Sequence, residues 1–201
     1  MAFDSDDVDV LDDKLSYDGF FQLRTLTLRH RLFEGGWSKP FSREILLRND
    51  AAGVLLYDAV LDKVALIEQF RIGGMGRSGS PWLLEIVAGL LDKDEKPEEV
   101  AIRESFEEAG CVVEALEPII SYFSSPGGSR ELFYLFCGKA DLSSAGGIHG
   151  LDDESEDIRV HVLAVDDCWQ KLEQGDIINA PTIIALQWFQ SNRQRLRELW
   201  G

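Results

Sequence analysis

Residues 89–111 read GLLDKDEKPEEVAIRESFEEAGC, and the spacing of glycine, glutamate and arginine in this stretch decides how the rest of the chain is read. Gly89 is followed by Glu95, then by Arg103-Glu104, Glu107-Glu108, Gly110 and Cys111. Pro97 suits the first turn of a helix, where its missing N–H is harmless, and Gly110 suits the position just past the end. Glu98 and Glu99 fall in the first turn, where the helix dipole favours negative charge. At about 100° per residue, Ile102, Ser105, Phe106 and Ala109 share one arc, expected to face the core. Glu104, Glu107 and Glu108 share the opposite arc, with Arg103 at its edge. Like charges three or four residues apart destabilise a helix by roughly a few tenths of a kcal/mol per pair. A divalent cation is the natural compensation, and all-oxygen ligation favours Mg²⁺ or Mn²⁺ over zinc. An arbitrary helix with three glutamates is usually just a solvated acidic face. The fixed offsets of Gly89 and Glu95 weigh against that plainer reading here.

The bulk composition sets bounds. The chain has 201 residues, 45% of them hydrophobic, enough for one packed domain with an extra lobe. Its formal charge of −16 disfavours nonspecific binding to nucleic acid or anionic membranes. No stretch approaches the roughly 18 apolar residues of a membrane span. The first residues, MAFDSDDVDVLDDK, lack the basic start and apolar core of a signal peptide. Cys111, Cys137 and Cys168 have no paired spacing and read as buried thiols in a reducing compartment. A cytoplasmic protein is expected.

Around the helix the pattern is mostly of strands. Residues 1–15 are expected to fray. Tyr17–Phe33 alternates apolar and polar side chains as a strand does, Gly35-Gly36 makes a turn, and Ser42–Leu47 reads as the returning strand. Together they form a small N-terminal sheet over residues 1–48. The remainder, 49–201, reads as a second domain. Short apolar strands are expected at Ala51–Leu56, Lys63–Ile67, Trp82–Val87, Ile119–Phe123, Leu132–Cys137 and Ile158–Val165. The glycine-rich loop GGMGRSGS at 73–80 is a weak phosphate cradle, since no lysine or helix start follows it. Helices are expected at Asp166–Gln174, stopped by Gly175, and at about Pro181–Leu199. Strands and helices alternate without a regular βαβ rhythm. The expected fold is α+β: an α/β/α sandwich around a mixed sheet, with a small N-terminal antiparallel β domain.

The spacing G-x5-E-x7-R-E-u-x-E-E-x-G-u, with u a bulky apolar residue, resembles a Nudix box, and a chance match to so many fixed identities is improbable. Pro126, in Ser125-Pro126-Gly127-Gly128, lies fifteen residues after Cys111 and is similar to a mark of the ADP-ribose pyrophosphatase branch. IEQFRI (67–72), GIHGLDDESEDIRVHV (from Gly147) and IIALQWFQ (183–190) also look like bacterial members of that branch. The resemblance runs from about Tyr17 to Trp200. It departs at Ser105 and Cys111, where aliphatic residues are usual, and around Ser129-Arg130-Glu131. No metal-ligand position is lost.

The resemblance implies hydrolysis of ADP-ribose to AMP and ribose 5-phosphate, by water attack on phosphorus, with more than one Mg²⁺ (or Mn²⁺) per site. By similarity the metals are carried by Glu104, Glu108 and the carbonyl of Ala88, with Glu156 able to reach one. Arg103 then orients a box carboxylate and Glu107 is auxiliary, while Glu95 and Gly110 are structural. The catalytic base of this branch lies outside the box, and Glu154 matches it, with Glu156 as the other choice. Substrate contacts carry over to Phe20, Phe21, Arg43 and Glu44, where the N-terminal domain covers the adenine site of a neighbouring subunit. They also carry over to Arg71 and, more weakly, Arg48 for a phosphate, and to Leu90, Ser125, Pro126, Gly127 and Glu131 around the sugars. A homodimer with exchanged N-terminal domains follows. Two other readings stand beside it. One is a Nudix pyrophosphatase for another nucleoside diphosphate sugar, such as ADP-glucose or GDP-mannose. The other is a sensor that binds ADP-ribose without cleaving it.

Overall fold

The structure, a computed structural model, describes residues 3–201 apart from 78, 93 and 152–154. The chain divides into two compact units, one of residues 1–50 with 123–132, the other of 51–122 with 133–201.

The larger unit is built on a mixed eight-stranded sheet. Its centre is β4 (Ala51–Asp58), buried at every position, which is why the sequence there is continuously apolar rather than alternating. β4 runs parallel to β9 (Leu132–Lys139) and antiparallel to β5 (Lys63–Phe70). β11 (Ile158–Ala164) and β10 (Gly147–His149) extend the sheet beyond β5, and β8 (Ala115–Phe123) extends it beyond β9. Successive residues of β4 point to opposite faces. Leu55 and Tyr57 join a cluster with Cys168 of α2 (Val165–Gln174) and Ala185, Leu186 and Phe189 of α3 (Ala180–Trp200). Ala52, Val54 and Leu56 join one with Val100, Ala101 and Ala109 of α1 (Pro97–Ala109). The architecture is therefore the expected α/β/α sandwich, with α1 on one face and α2 and α3 on the other. All three cysteines are buried and free, as expected, and burial pushes their thiols up. No helix among the described residues is long and apolar enough to cross a membrane.

The segment expected as one strand over Trp82–Val87 is two. β6 (Trp82–Glu85) pairs with β5 and β7 (Val87–Leu90) with β4. Ile86 sits at the break, and its N–H donates instead to the hydroxyl of Thr182 at 2.8 Å. A side chain 96 residues away thus satisfies a donor that would otherwise be buried without a partner. β10, three residues long, was not anticipated.

The smaller unit carries a three-stranded antiparallel sheet of β1 (Val8–Asp18), β2 (Gln22–His30) and β3 (Phe41–Leu47). Most of β1, Val8 to Leu15, falls in the stretch expected to fray. Two of its aspartates are cross-strand partners of arginines rather than part of a solvated tail, with Asp13–Arg24 at 2.6 Å and Asp9–Arg29 at 2.7 Å. The run expected as one strand over Tyr17–Phe33 is instead the end of β1, a turn at residues 19–21, and β2. Alternation persisted through that turn because both strands obey it, so the pattern hid the reversal.

Candidate active site

Helix α1 starts at Pro97 and ends at Gly110, which adopts the left-handed conformation (φ 63°, ψ 19°). The N–H groups of Gly110 and Cys111 turn back onto the carbonyls of Phe106 and Ser105 at 2.9 Å each. The face it buries differs from the expected one. Val100, Ala101, Ser105, Glu108 and Ala109 are buried, whereas Ile102 and Phe106 are exposed. The Ser105 hydroxyl donates to the Ala101 carbonyl at 2.6 Å, which lets a polar residue lie at the helix–sheet contact. Glu108 is thereby carried inward and is only 2% exposed. A cluster of glutamates spread on the solvent side is not what forms.

Instead, one guanidinium gathers three carboxylates. Arg103 donates from Nη1 to Glu104 Oε1 and Glu107 Oε2, both at 2.8 Å, and from Nε to Glu95 Oε1 at 3.1 Å. Burial opposes its charge, but the hydrogen bonds to Glu95 and Glu107 and the charge of Glu104 keep it firmly protonated. Arg103 holds the Glu95 carboxyl below its usual range, helped by the Asp92 N–H. This fixes the loop before the helix.

Glu104 and Glu108 both shift the other way from Glu95. Burial raises the Glu104 pKa against the pull of Arg103, and the nearby charges of Glu107 and Glu156 add to the rise. Glu108 is raised well above the ordinary carboxylate range by burial. Among the described residues its one hydrogen bond is the Ala88 N–H to Oε2 at 3.0 Å, and the charges of Glu104 and Glu156 oppose its ionisation. Gly89 explains the rest of the spacing. A Cβ there would lie 1.8 Å from Glu104 Oε1, so the strand can approach the carboxylate only as glycine.

Glu156 belongs to the same group electrostatically, and its Oε1 accepts from Gln69 Nε2 at 3.4 Å. Arg71 lies near enough to lower the Glu108 pKa and donates from Nε to Glu85 Oε2 at 2.8 Å. Leu90 is half-buried and packs against the cluster on the α2–α3 side. Glu154 lies outside the described residues. Among the described residues no three His, Cys, Asp or Glu side chains already converge as a cation cage. Arg103 and the Ala88 N–H occupy oxygens that such a cage would use. The donors nevertheless fit a hard divalent cation, being all oxygen, with a buried carboxylate whose charge is met by a single N–H.

In the smaller unit three expected residues come together. Arg48 Nε lies 3.0 Å from Glu131 Oε1, and its guanidinium carbon lies 5.4 Å from the centre of the Phe21 ring. Phe20 stands edge-on to Phe21 with ring centres 4.8 Å apart and is 86% exposed. Arg43 lies over Phe41 and donates to the Ser42 carbonyl, apart from that trio, and Glu44 is exposed. Ser125, Pro126 and Gly127 form a turn, with the Gly128 and Ser129 N–H groups on the Ser125 carbonyl, fastened to β3 where Leu46 N–H meets the Gly128 carbonyl at 2.8 Å.

The NUDIX domain model matches residues 47–186, which contain the helix, the Arg103 cluster and Glu156. The chain belongs to the Nudix family. It is 46% identical to the ADP-ribose pyrophosphatase of Escherichia coli (strain K12) over 201 residues, covering 100% of this chain and 96% of that one. It is 36% identical over 185 residues to the GDP-mannose pyrophosphatase of Cronobacter sakazakii, covering 91% and 95%. A crystal structure described as an ADP compounds hydrolase superposes with a TM-score of 0.72 at 19% identity, over 94% and 96% of the two chains, a likeness of fold. This Nudix hydrolase thus has the fold its box implied.

Sequence reasoning overlooked two residues that touch the candidate site, Glu85, which accepts from Arg71, and Gln69, which donates to Glu156. Gln69 had a readable signal. It follows Ala65 and Ile67 at a period of two on the α1-facing side of β5, where an amide breaks an otherwise apolar row.

Proposed function

We propose that this Nudix hydrolase cleaves the pyrophosphate bond of ADP-ribose, giving AMP and ribose 5-phosphate. The observation that carries the reading is Glu108, a buried carboxylate beside Glu104 and Glu156 that lacks a counter-charge of its own. Full-length likeness to ADP-ribose pyrophosphatases supports the choice of substrate. Glu104, Glu108, Glu156 and the carbonyl of Ala88 would hold the divalent cations, Mg²⁺ or Mn²⁺. When bound, such ions polarise phosphoryl oxygens and offset the charge that develops on them.

The chain's own groups do the rest. Arg103 holds Glu104 and Glu107 at fixed positions, so the carboxylates are oriented before substrate arrives. Arg71 has its Nε committed to Glu85, which aims the rest of the guanidinium as a fork for a phosphate. Glu154 takes a proton from the attacking water as oxygen bonds to phosphorus and the bridging P–O bond breaks. Phe20, Phe21 and Arg43 supply aromatic and planar cationic faces for the adenine, and Arg48, Glu131 and residues 125–127 border the sugars.

A homodimer supports that arrangement. Of the described residues of the smaller unit only Glu131 is buried, while Val8, Val10, Leu11, Leu15 and Tyr17 of β1 are exposed. A three-stranded sheet without a core needs an outside surface to cover it. A second copy, with exchanged N-terminal domains, provides one. The protein is read as cytoplasmic.

The test is hydrolysis of a panel of ADP-ribose, ADP-glucose and GDP-mannose with Mg²⁺, product by product, for wild type, Glu154→Gln and Glu156→Gln. ADP-ribose should give AMP and ribose 5-phosphate at the highest kcat/KM, with Glu154→Gln the more damaged variant. Preference for GDP-mannose would move the reading to the other relatives. Tight ADP-ribose binding without cleavage would make the protein a sensor.

A further inference from the structure

Gln69 is 7% exposed and sits on the α1-facing side of β5, two residues beyond Ile67. Its neighbour Glu68 points to the opposite face, where His161 Nε2 meets it at 2.9 Å. Gln69 Nε2 faces Glu156 Oε1 at 3.4 Å, while its own Oε1 is buried without a hydrogen-bond partner. An orphaned amide oxygen forfeits its hydration with nothing in return and so destabilises the fold. Turning the amide over would set Oε1 against a carboxylate oxygen, which is worse. The orientation that leaves one atom unsatisfied is therefore the one that serves Glu156.

Glu156 needs such a tether. Its N–H donates to the Leu151 carbonyl at 3.1 Å. Its Cβ would come within 2.8 Å of a Cβ at Gly150, which has φ 103°. Backbone packing thus fixes where Glu156 starts but leaves its carboxylate free to rotate. Among the described residues the Gln69 amide is the side-chain donor that meets that carboxylate, and Glu156 in turn acts electrostatically on both Glu104 and Glu108.

Resting on the metal reading above, we propose that Gln69 is a positioning residue. Its amide donates to Glu156 and turns that carboxylate toward Glu104 and Glu108, and its unpaired Oε1 is an acceptor held ready for a water or hydroxyl in the same site. Groups that orient a metal ligand typically change affinity by about 10–100-fold when lost.

The experiment is calorimetric Mn²⁺ binding to wild type, Gln69→Met, Glu156→Gln and the double variant, with melting of each in chelator. Methionine keeps the length and volume of glutamine without its polar atoms. Gln69→Met should weaken Mn²⁺ binding about tenfold or more, with a melting temperature in chelator no lower than wild type, because the orphan oxygen is gone. In the Glu156→Gln background the same substitution should add little, since the two act as one unit. Affinity within about twofold of wild type overturns the inference. Independent, multiplying effects also overturn it, because Gln69 would then act elsewhere. Failure of wild type itself to bind Mn²⁺ overturns the metal reading and the inference with it. Loss of binding in Glu156→Gln without loss in Gln69→Met removes the inference alone.

Discussion

Replacing Glu108 by glutamine tests the site in a way that does not depend on turnover. Glu108 is buried, accepts one N–H from Ala88, and its pKa is driven upward by burial and by Glu104 and Glu156. Without a cation at pH ~7 the wild type must bury the charge or protonate it. Protonating a carboxyl of ordinary pKa ~4.3 at that pH costs about 1.4 kcal/mol per unit, so the penalty has a ceiling near ~3.7 kcal/mol. Glutamine removes the charge and can still accept from Ala88, but its new NH₂ group, if unpaired, costs about 1–3 kcal/mol. The net expectation is a gain of roughly 1–2 kcal/mol in chelator. At about 2–4 °C per kcal/mol for a chain of this length, that is a rise of roughly 2–8 °C. The sign with pH follows from the raised pKa. The wild type is most stable with Glu108 protonated, below the unfolded-state pKa, and loses that stability as pH rises toward the folded-state value. The gap between variant and wild type should therefore close as pH falls toward ~4.3. A divalent cation at a hundred times its Kd should stabilise wild type by about 2.7 kcal/mol and the variant far less. Scanning calorimetry across pH, in chelator and in Mg²⁺, reads all three. The reasoning fails if the variant melts below wild type in chelator, if the gap ignores pH, or if Mg²⁺ raises both equally.

Gly89→Ala places a methyl where Glu104 Oε1 now lies, 1.8 Å from the new carbon. Displacing Glu104 by about an ångström should cost on the order of 10²-fold in kcat/KM with the helix content intact by circular dichroism, and near-normal activity would show that Glu104 is free to move. Asp62 is the acceptor for Tyr57 at 2.9 Å and Arg193 at 2.6 Å, and lies 3.3 Å from Arg197. Asn is tolerated at its positive φ of 55°, so Asp62→Asn should lose roughly 1.5–3 kcal/mol at neutral pH, the worth of its charge-assisted hydrogen bonds. Because Arg193 and Tyr57 hold the Asp62 pKa down, that stability is present above the unfolded-state pKa and is lost as pH falls through the folded-state one. Denaturant curves should converge in acid, and an equal loss at every pH would remove Asp62 from the account. Phe20→Ala should raise KM for ADP-ribose about tenfold, the worth of one lost base–aromatic stack, with kcat unaltered. An unchanged KM would leave the exposed ring without that role.

What the sequence disclosed and what it hid divide along physical lines. The ends of α1 were legible because Pro97 and Gly110 act locally, through a missing N–H and a left-handed φ. The central strands were legible because β4 is buried on both faces and must be apolar throughout. The orientation of α1 was not. Ile102 and Phe106 have core-like side chains, but rotation about the helix axis is set by what lies beneath it, and there Ser105 returns its hydroxyl to its own backbone. The break at Ile86 depends on Thr182, far away in the chain. β1 looked disordered because its charges were counted without their partners on β2. Gly89 was read from its offset alone, yet the reason for it, the closeness of Glu104, is visible only in three dimensions.

The charge of −16 leaves a last difficulty, since the proposed substrate is itself an anion. The arginines nearest the box do not resolve it. Arg103 is shared among Glu95, Glu104 and Glu107, and Arg71 is paired with Glu85. Glu108 and Glu156 remain, so the bare site is net negative and should repel a diphosphate. Each divalent cation bound there adds two positive charges in a partly buried setting, where screening by salt is weak. Substrate affinity must then depend on the cation as well as the rate does. A methylene analogue of ADP-ribose, which cannot be cleaved at the bridge, separates the two. Its calorimetric Kd should weaken by at least about tenfold, or ~1.4 kcal/mol, when chelator replaces Mg²⁺. Glu108→Gln should narrow that difference, since it removes a repelling charge and a ligand together. Equal affinity with and without Mg²⁺ would mean that the diphosphate is held by groups outside this cluster, and the cation's part would be confined to the chemical step.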